Sequence, residues 1–385
     1  MTADWWRDRR VLAAVAAGVI LLVVAVLVVI WAATRGDDGR PGDGGPPPPS
    51  GPPTTSSPTA TPTGPPTVQG LLDQRVGFGA QVTGGRGGRK VHVTTNADSG
   101  PGSLREAVTG DRPAWVVFDK DMTIRLDSPL VVGSNKTIDG RARQVEITAP
   151  GQSGFELTNV SNVIIESLTL SNFGDVELTD QNNLPDAIHL DNASGVWIDH
   201  NDLSVAGDKL IAILNGSTDV TVSWNHLHDQ EQVIQIGNQT TQDADAAQTV
   251  TVHHNFFDHP GYRSPVVSYG RAHVFNNYYL DWKTYAVRSE RVAQLFLENN
   301  VFVGGRSAKA ALTTVQGDGC NDSGTRCDDR DGFLRSEGNV TSEGTRKIRE
   351  SSPEEVFDPS DLYAYEAETA DQAMADLVAA GAGPQ

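Results

Sequence analysis

Five short apolar-alternating runs each end in asparagine: VWIDHN at Asn201, VTVSWN at Asn225, VTVHHN at Asn255, AHVFNN at Asn277 and LFLENN at Asn300. The gaps of 24, 30, 22 and 23 residues are too short for a strand–helix–strand unit and suit one turn of a solenoid. Each copy holds two or three short strands divided by turn residues, such as AIHL then VWID, or VIQI then VTVH. In a parallel coil, equivalent positions of successive turns stack at ~4.8 Å, so the asparagines form a ladder that satisfies its own amides. A β-sandwich also yields many short strands, but it does not account for a period that absorbs loops of unequal length. The pattern predicts an all-β fold, a right-handed parallel β-helix (solenoid), over residues 71–385.

Strand alternation then orients side chains. If Ile188 and Leu190 point inward, so do Ile211 with Ile213 and Ile234 with Ile236, which turns His189, Ala212 and Gln235 outward as stacked neighbours on a groove floor. The ends of a solenoid need covers. SLREAVT, residues 103–109, reads as a short helix over the N-terminal edge, and the Ala-rich residues 369–380 as a helix along the side of the coil.

Ahead of this domain, residues 11–33 carry no charged side chain. At ~1.5 Å per residue a helix of that length spans about 34 Å, enough for a membrane core of ~30 Å. The alternative, a cleaved signal peptide, has a shorter apolar core ending in small residues, and Trp31 stands there instead. Arg7, Arg9 and Arg10 place residues 1–10 in the cytoplasm and the domain outside, as a single-pass cell-membrane protein, or a secreted one if the segment is cleaved. Residues 34–70, rich in Pro, Gly, Ser and Thr, read as a stalk. Cys320 and Cys327 are expected to pair in an oxidising compartment. The net charge of −19 argues against a nucleic-acid partner, and a polyanionic partner would need a local positive site or a bound cation.

These motifs, in order from about Val76 to Gly383, resemble the pectate lyase superfamily: GFGAQVTGGRGG, GPGSLREAV, NKTIDGR, DAIHLDNASGVWIDHN, SWNHLHD, VTVHHNFFD, RSPVVSYGRAHVFNNYY and ENNVF. The resemblance implies β-elimination of an α-1,4-linked galacturonan or related uronan by a single chain. In that reaction a base removes the proton α to the uronate carboxylate and the glycosidic oxygen leaves. Family members neutralise the carboxylate with Ca2+ held by aspartates and with basic side chains. The base implied by the R-x-P position is Arg263, and an arginine in that role needs positive neighbours.

Residue by residue, Asp186 and Asp208 match calcium-ligand positions, whereas Leu184 and Ala212 stand where further aspartates are expected. The substrate-binding lysine position holds Gln232, the second arginine position holds Ser268, and Arg288 matches a substrate-contacting arginine. Lys209 is the candidate for the basic residue that calcium-free pectin lyases carry in the metal position. His189 joins it on the groove floor. The bland readings are turns at Asp186 and Asp208, an ion pair of Arg288 with Glu290, and an ordinary loop arginine at Arg263. Tyr262, Tyr269 and Trp282 are candidate sugar-stacking surfaces, the bland alternative being core or rim aromatics. His226, His228, His253, His254, His259 and His273 raise a metal site, but the adjacent pair His253 and His254 would face opposite sides of a strand. Two functions follow: a membrane-anchored lyase of pectate or pectin type, Ca2+ being the implied cofactor, or an inactive surface β-helix that binds polysaccharide.

Overall fold

The computed structural model describes residues 67–174, 185–238, 242–305, 311–316 and 331–385. The proposed membrane span, most of the stalk, Leu184 and both cysteines lie outside the described residues. No helix among those described is long and apolar enough to cross a membrane.

Every strand-to-strand ladder is parallel, and the strands sort into three sheets of ten, nine and eight members among the described residues. One turn of the coil runs through Ser194–Asp199, Asp202–Ala206 and Lys209–Leu214. The following turn repeats the course through Thr218–Ser223, His226–His228 and Gln232–Ile236, each strand pairing with its counterpart one turn earlier. We call these the ladder, middle and groove sheets.

The corner between ladder and middle sheets explains the repeated asparagine. His200, Trp224, His254, Asn276 and Asn299 all adopt left-handed backbone, with φ of 49–53°, and each precedes a ladder asparagine. That turn redirects the chain and aims the next side chain along the axis. Asn201 donates to Asn225, Asn225 to Asn255, Asn255 to Asn277 and Asn277 to Asn300, each at 3.0 Å. Asn300 extends the series by donating to Asn339 at 2.9 Å. The backbone N–H of each turn also donates to the asparagine above, so few buried polar atoms at the corner go unmet.

Inside the coil, like stacks on like. Val196, Val220 and Val250 share one column, and Leu203, Leu227, Phe257, Tyr279 and Phe302 another, all fully buried. Each such aliphatic or aromatic side chain contributes ~1.5–3 kcal/mol by leaving water. The N-terminal edge is covered by the helix Leu104–Val108, capped by Ser103 and with Leu104 and Val108 buried. Residues 71–82 lie over the outer face of the ladder sheet, where Gly77 has φ 88° and any Cβ would fall 2.5 Å from Thr251 Oγ1. Along the side of the coil, over the outer face of the middle sheet, the helix Gln372–Gly381, N-capped by Asp371, packs Met374, Ala375 and Val378 beside Val301, Phe256 and Tyr278.

The adjacent histidines correct a sequence expectation. His253 ends its strand and His254 already occupies the left-handed corner, so the two rings meet edge to face with Nδ1 atoms 2.9 Å apart. Both are buried, and burial lowers the His253 pKa well below the ordinary imidazole value. The pair is a corner of the structure.

Candidate functional site

The groove sheet aligns one outward column across seven turns: Glu156, His189, Ala212, Gln235, Val266, Arg288 and Thr314. His189, Ala212 and Gln235 are the neighbours that strand alternation predicted. Pairing in register continues the column to Arg288, which the sequence placed in the site only through the resemblance.

At one end of this column, Asp186, Asp208 and Lys209 form a closed cluster. The Lys209 ammonium sits 3.4 Å from Asp186 Oδ1 and in shorter contact with Asp208 Oδ2. The remaining carboxylate atoms are also engaged. Asp186 Oδ1 accepts the Lys209 backbone N–H at 3.0 Å, its Oδ2 meets His189 Nδ1 at 2.8 Å, and Asp208 Oδ1 accepts from Gln232 at 2.8 Å. Lys209 is only 7% exposed and Asp186 5%. The hydrogen bond to Asp186 raises the His189 pKa above the usual imidazole value against the opposing effect of burial.

Ca2+ asks for six to eight oxygen ligands. Here every oxygen of the two carboxylates already meets a donor, an ammonium lies between them, and Ala212 contributes no side-chain oxygen. These residues do not fit a calcium shell, and the cation they already hold is Lys209. Gln232, taken as a substrate contact, is a positioning residue for Asp208 in this arrangement.

At the other end, two arginines converge on one tyrosine. Arg263 has left-handed backbone at φ 58°, a strained conformation that costs about 1 kcal/mol or more. Its NH1 donates to Gln235 Oε1 at 2.5 Å. Arg288 lies with Cζ 4.1 Å from the Tyr285 ring centroid, and its Nε donates to Thr314 Oγ1 at 2.9 Å. Burial raises the Tyr285 pKa, while the positive charges of Arg288 and Arg263 pull it back. The bland pairing of Arg288 with Glu290 is long, at 3.9 Å. Beyond Arg288 opens a cavity of about 450 Å3 lined by Ala311–Val315, Arg346, Lys347 and Arg349. A cavity of similar size on the ladder sheet, around Trp115 and Arg141, contains none of the predicted site residues.

Three assignments need correction. Ser268 is buried, its hydroxyl donating to Glu290 at 2.6 Å, so it is not presented to a ligand. Trp282 belongs to the core, with its indole N–H bonded to Ala311 O, and Tyr269 is 1% exposed. Only Tyr262 of the three proposed stacking aromatics keeps a half-buried surface, with Arg263 Cζ 5.7 Å from its ring centroid. Tyr285, Thr314 and the basic trio at 346, 347 and 349 were not anticipated. Alternation along YAVRSE could have exposed the relation of Tyr285 to Arg288. The trio sits on an irregular segment where only tertiary structure brings it to the groove.

The family model described as "Pectate lyase" matches residues 120–385. "Pectate lyase 1" of Juniperus ashei is 37% identical over 249 residues, covering 60% of this chain and 68% of that protein. "Pectate lyase 1" of Chamaecyparis obtusa is 36% identical over 249 residues, covering 60% and 66%. The chain thus spans about two thirds of the length of these curated relatives. Among solved structures, jun a 1, the major allergen from cedar pollen, superposes with a TM-score of 0.68 at 29% identity, covering 82% of this chain and 94% of the other. A "pectate lyase bound to hexasaccharide" gives 0.60 at 17% identity over 80% and 96%, a likeness of fold alone.

Proposed function

This chain belongs to the pectate lyase family of carbon–oxygen lyases, and from that premise we propose that it cleaves a uronate-containing glycan of pectate or pectin type by β-elimination without a protein-bound calcium ion. The observation that carries the reading is the pair Arg263 and Arg288 converging on Tyr285 beside a basic cavity, in a chain whose net charge is −19. A concentration of positive charge there is what a polyanionic sugar chain would require.

Arg288 and the basic cavity bind uronate carboxylates. At the other end of the floor Lys209 neutralises part of the charge of Asp186 and Asp208 and so limits their repulsion of a uronan, and Gln235 orients the Arg263 side chain. Arg263, in its neutral guanidine form, takes the proton α to the carboxylate, the electron pair forms the ring double bond, the bond to the glycosidic oxygen breaks, and that oxygen takes a proton from water.

A second reading, a surface β-helix that binds polysaccharide without cleaving it, is favoured by the hydrogen bond from Arg263 to Gln235. A guanidinium so engaged is a better carboxylate clamp than a base. We further propose that residues 11–33 anchor the domain outside the cell and that it acts as a monomer; the uncharged run and the flanking Arg7, Arg9 and Arg10 support the anchor.

Incubating the chain with polygalacturonate and with methylated pectin, while following the ultraviolet absorbance of the unsaturated product, tests the activity. Product on either uronan supports the lyase. Saturable binding with no product would leave the clamp.

A further inference from the structure

The middle sheet carries a second cluster that the elimination reaction does not use. His226 and His228 are two apart on one strand and so face the same side. Asp202, in the preceding turn, pairs directly opposite His226, and Asp258, in the following turn, lies opposite His228. One donor atom from each of Asp202, His226 and His228 falls within 4.8 Å of the other two.

We propose that Asp202, His226 and His228 form a binding site for a divalent transition metal of the zinc class, on a different sheet from the sugar groove. The arrangement of the four imidazole nitrogens points there. His226 Nδ1 lies 2.9 Å from Asp202 Oδ2, and His228 Nε2 lies 3.2 Å from Asp202 Oδ1. Metal bonds of 2.0–2.1 Å at the tetrahedral angle would separate nitrogen from oxygen by about 3.3 Å, near both contacts, and the imidazoles would turn to bring their nitrogens and one Asp202 oxygen onto a common ion.

The outer nitrogens face carboxylates. His228 Nδ1 meets Asp229 at 2.7 Å, and His226 Nε2 meets Asp258 at 3.5 Å. One inward nitrogen on the first ligand and a carboxylate behind the ring is how metal-binding histidines are oriented. The rings are also held by stacking, His226 lying 4.3 Å from His228 and 5.1 Å from Phe256 between centroids.

Three carboxylates surround two imidazoles, an excess of negative charge that favours a cation. Two nitrogen ligands select a borderline metal such as Zn2+, Ni2+ or Cu2+ over Ca2+, which prefers oxygen. About a quarter of each ligand side chain is exposed, so an ion can enter, and water would complete its coordination. The bound ion would tie one turn of the coil to the next.

The test uses the full chain without an affinity tag, titrated with Zn2+ by calorimetry and with Co2+ by visible absorption. One saturable site with ligand-field bands is expected, and Ca2+ should not compete. His226→Gln and His228→Gln should each weaken binding at least tenfold, whereas His92→Gln on the ladder sheet should not. Zn2+ at one hundred times its Kd should shift the folding equilibrium roughly hundredfold in the wild type. Absence of Co2+ bands in the wild type would overturn the site even if a variant fails to fold. So would affinity unchanged in both histidine variants.

Discussion

Replacing Lys209 with methionine tests whether an ammonium stands where family members place calcium. Methionine keeps most of the volume and removes the charge, leaving Asp186 and Asp208 facing each other at a site where Lys209 is 7% exposed. At 3.4 Å and an effective dielectric constant near 20, the attraction to Asp186 is about 5 kcal/mol before desolvation. Burying the ammonium offsets part of this, yet removing one partner strands the other charges, and such losses run about 3–5 kcal/mol. Lys209→Met should therefore lower stability by about 3–5 kcal/mol in a urea titration, with millimolar Ca2+ recovering part of the loss. Wild-type stability should not respond to Ca2+ or EDTA. A variant within about 0.5 kcal/mol of wild type, or a wild type stabilised by Ca2+ as strongly as the variant, would refute the reasoning.

Asn255→Ala strands the Asn225 backbone and amide donors in a fully buried corner and should cost about 3–5 kcal/mol in denaturant unfolding, against about 1 kcal/mol for Asn339→Ala at the exposed end of the ladder. Glu298 is a half-buried anchor of the C-terminal segment. Burial acts to raise its pKa, but hydrogen bonds from His273 and Tyr365 prevail and hold it below the usual carboxylate range. A lowered pKa contributes stability that is present above the unfolded value, near 4.3, and is lost as pH falls through the folded one. Acid titration followed by tyrosine circular dichroism should show that loss in the wild type, and Glu298→Gln should flatten it. Lys347→Ala and Arg349→Ala, each removing one partly screened charge from the basic cavity, should each raise KM for polygalacturonate about threefold and weaken its dependence on salt.

Much of this fold was legible because two periodicities coincide. The asparagine-ended repeat set the turn of the coil, and alternation within VIQI and AIHL set which side chains face the groove, so His189, Ala212 and Gln235 fall where expected. Alternation fails where strands end. His254, Tyr269 and Arg263 all have left-handed backbone, and side chains at such corners turn in directions a period of two does not describe. That is why the His253–His254 contact was read wrongly. Trp282 resolves to the core rather than the stacking alternative: it follows a strand, and its indole folds back over Phe302.

In the site, charge type was readable but its balance was not. Lys209 could be singled out by its place next to Asp208, but that it also reaches Asp186, 23 residues earlier, depends on the stacking of consecutive turns. Arg346, Lys347 and Arg349 look like a solvated charge run in sequence, and only folding carries them to Arg288.

The most direct measurement is the initial rate of unsaturated-product formation from uronan in EDTA, for wild type and Arg263→Lys side by side. Wild type should retain its rate in the chelator, and the lysine variant should lose about a hundredfold or more with its melting midpoint unchanged. A wild type silent until Ca2+ is restored, or a variant as active as its parent, would contradict a calcium-independent lyase acting through Arg263.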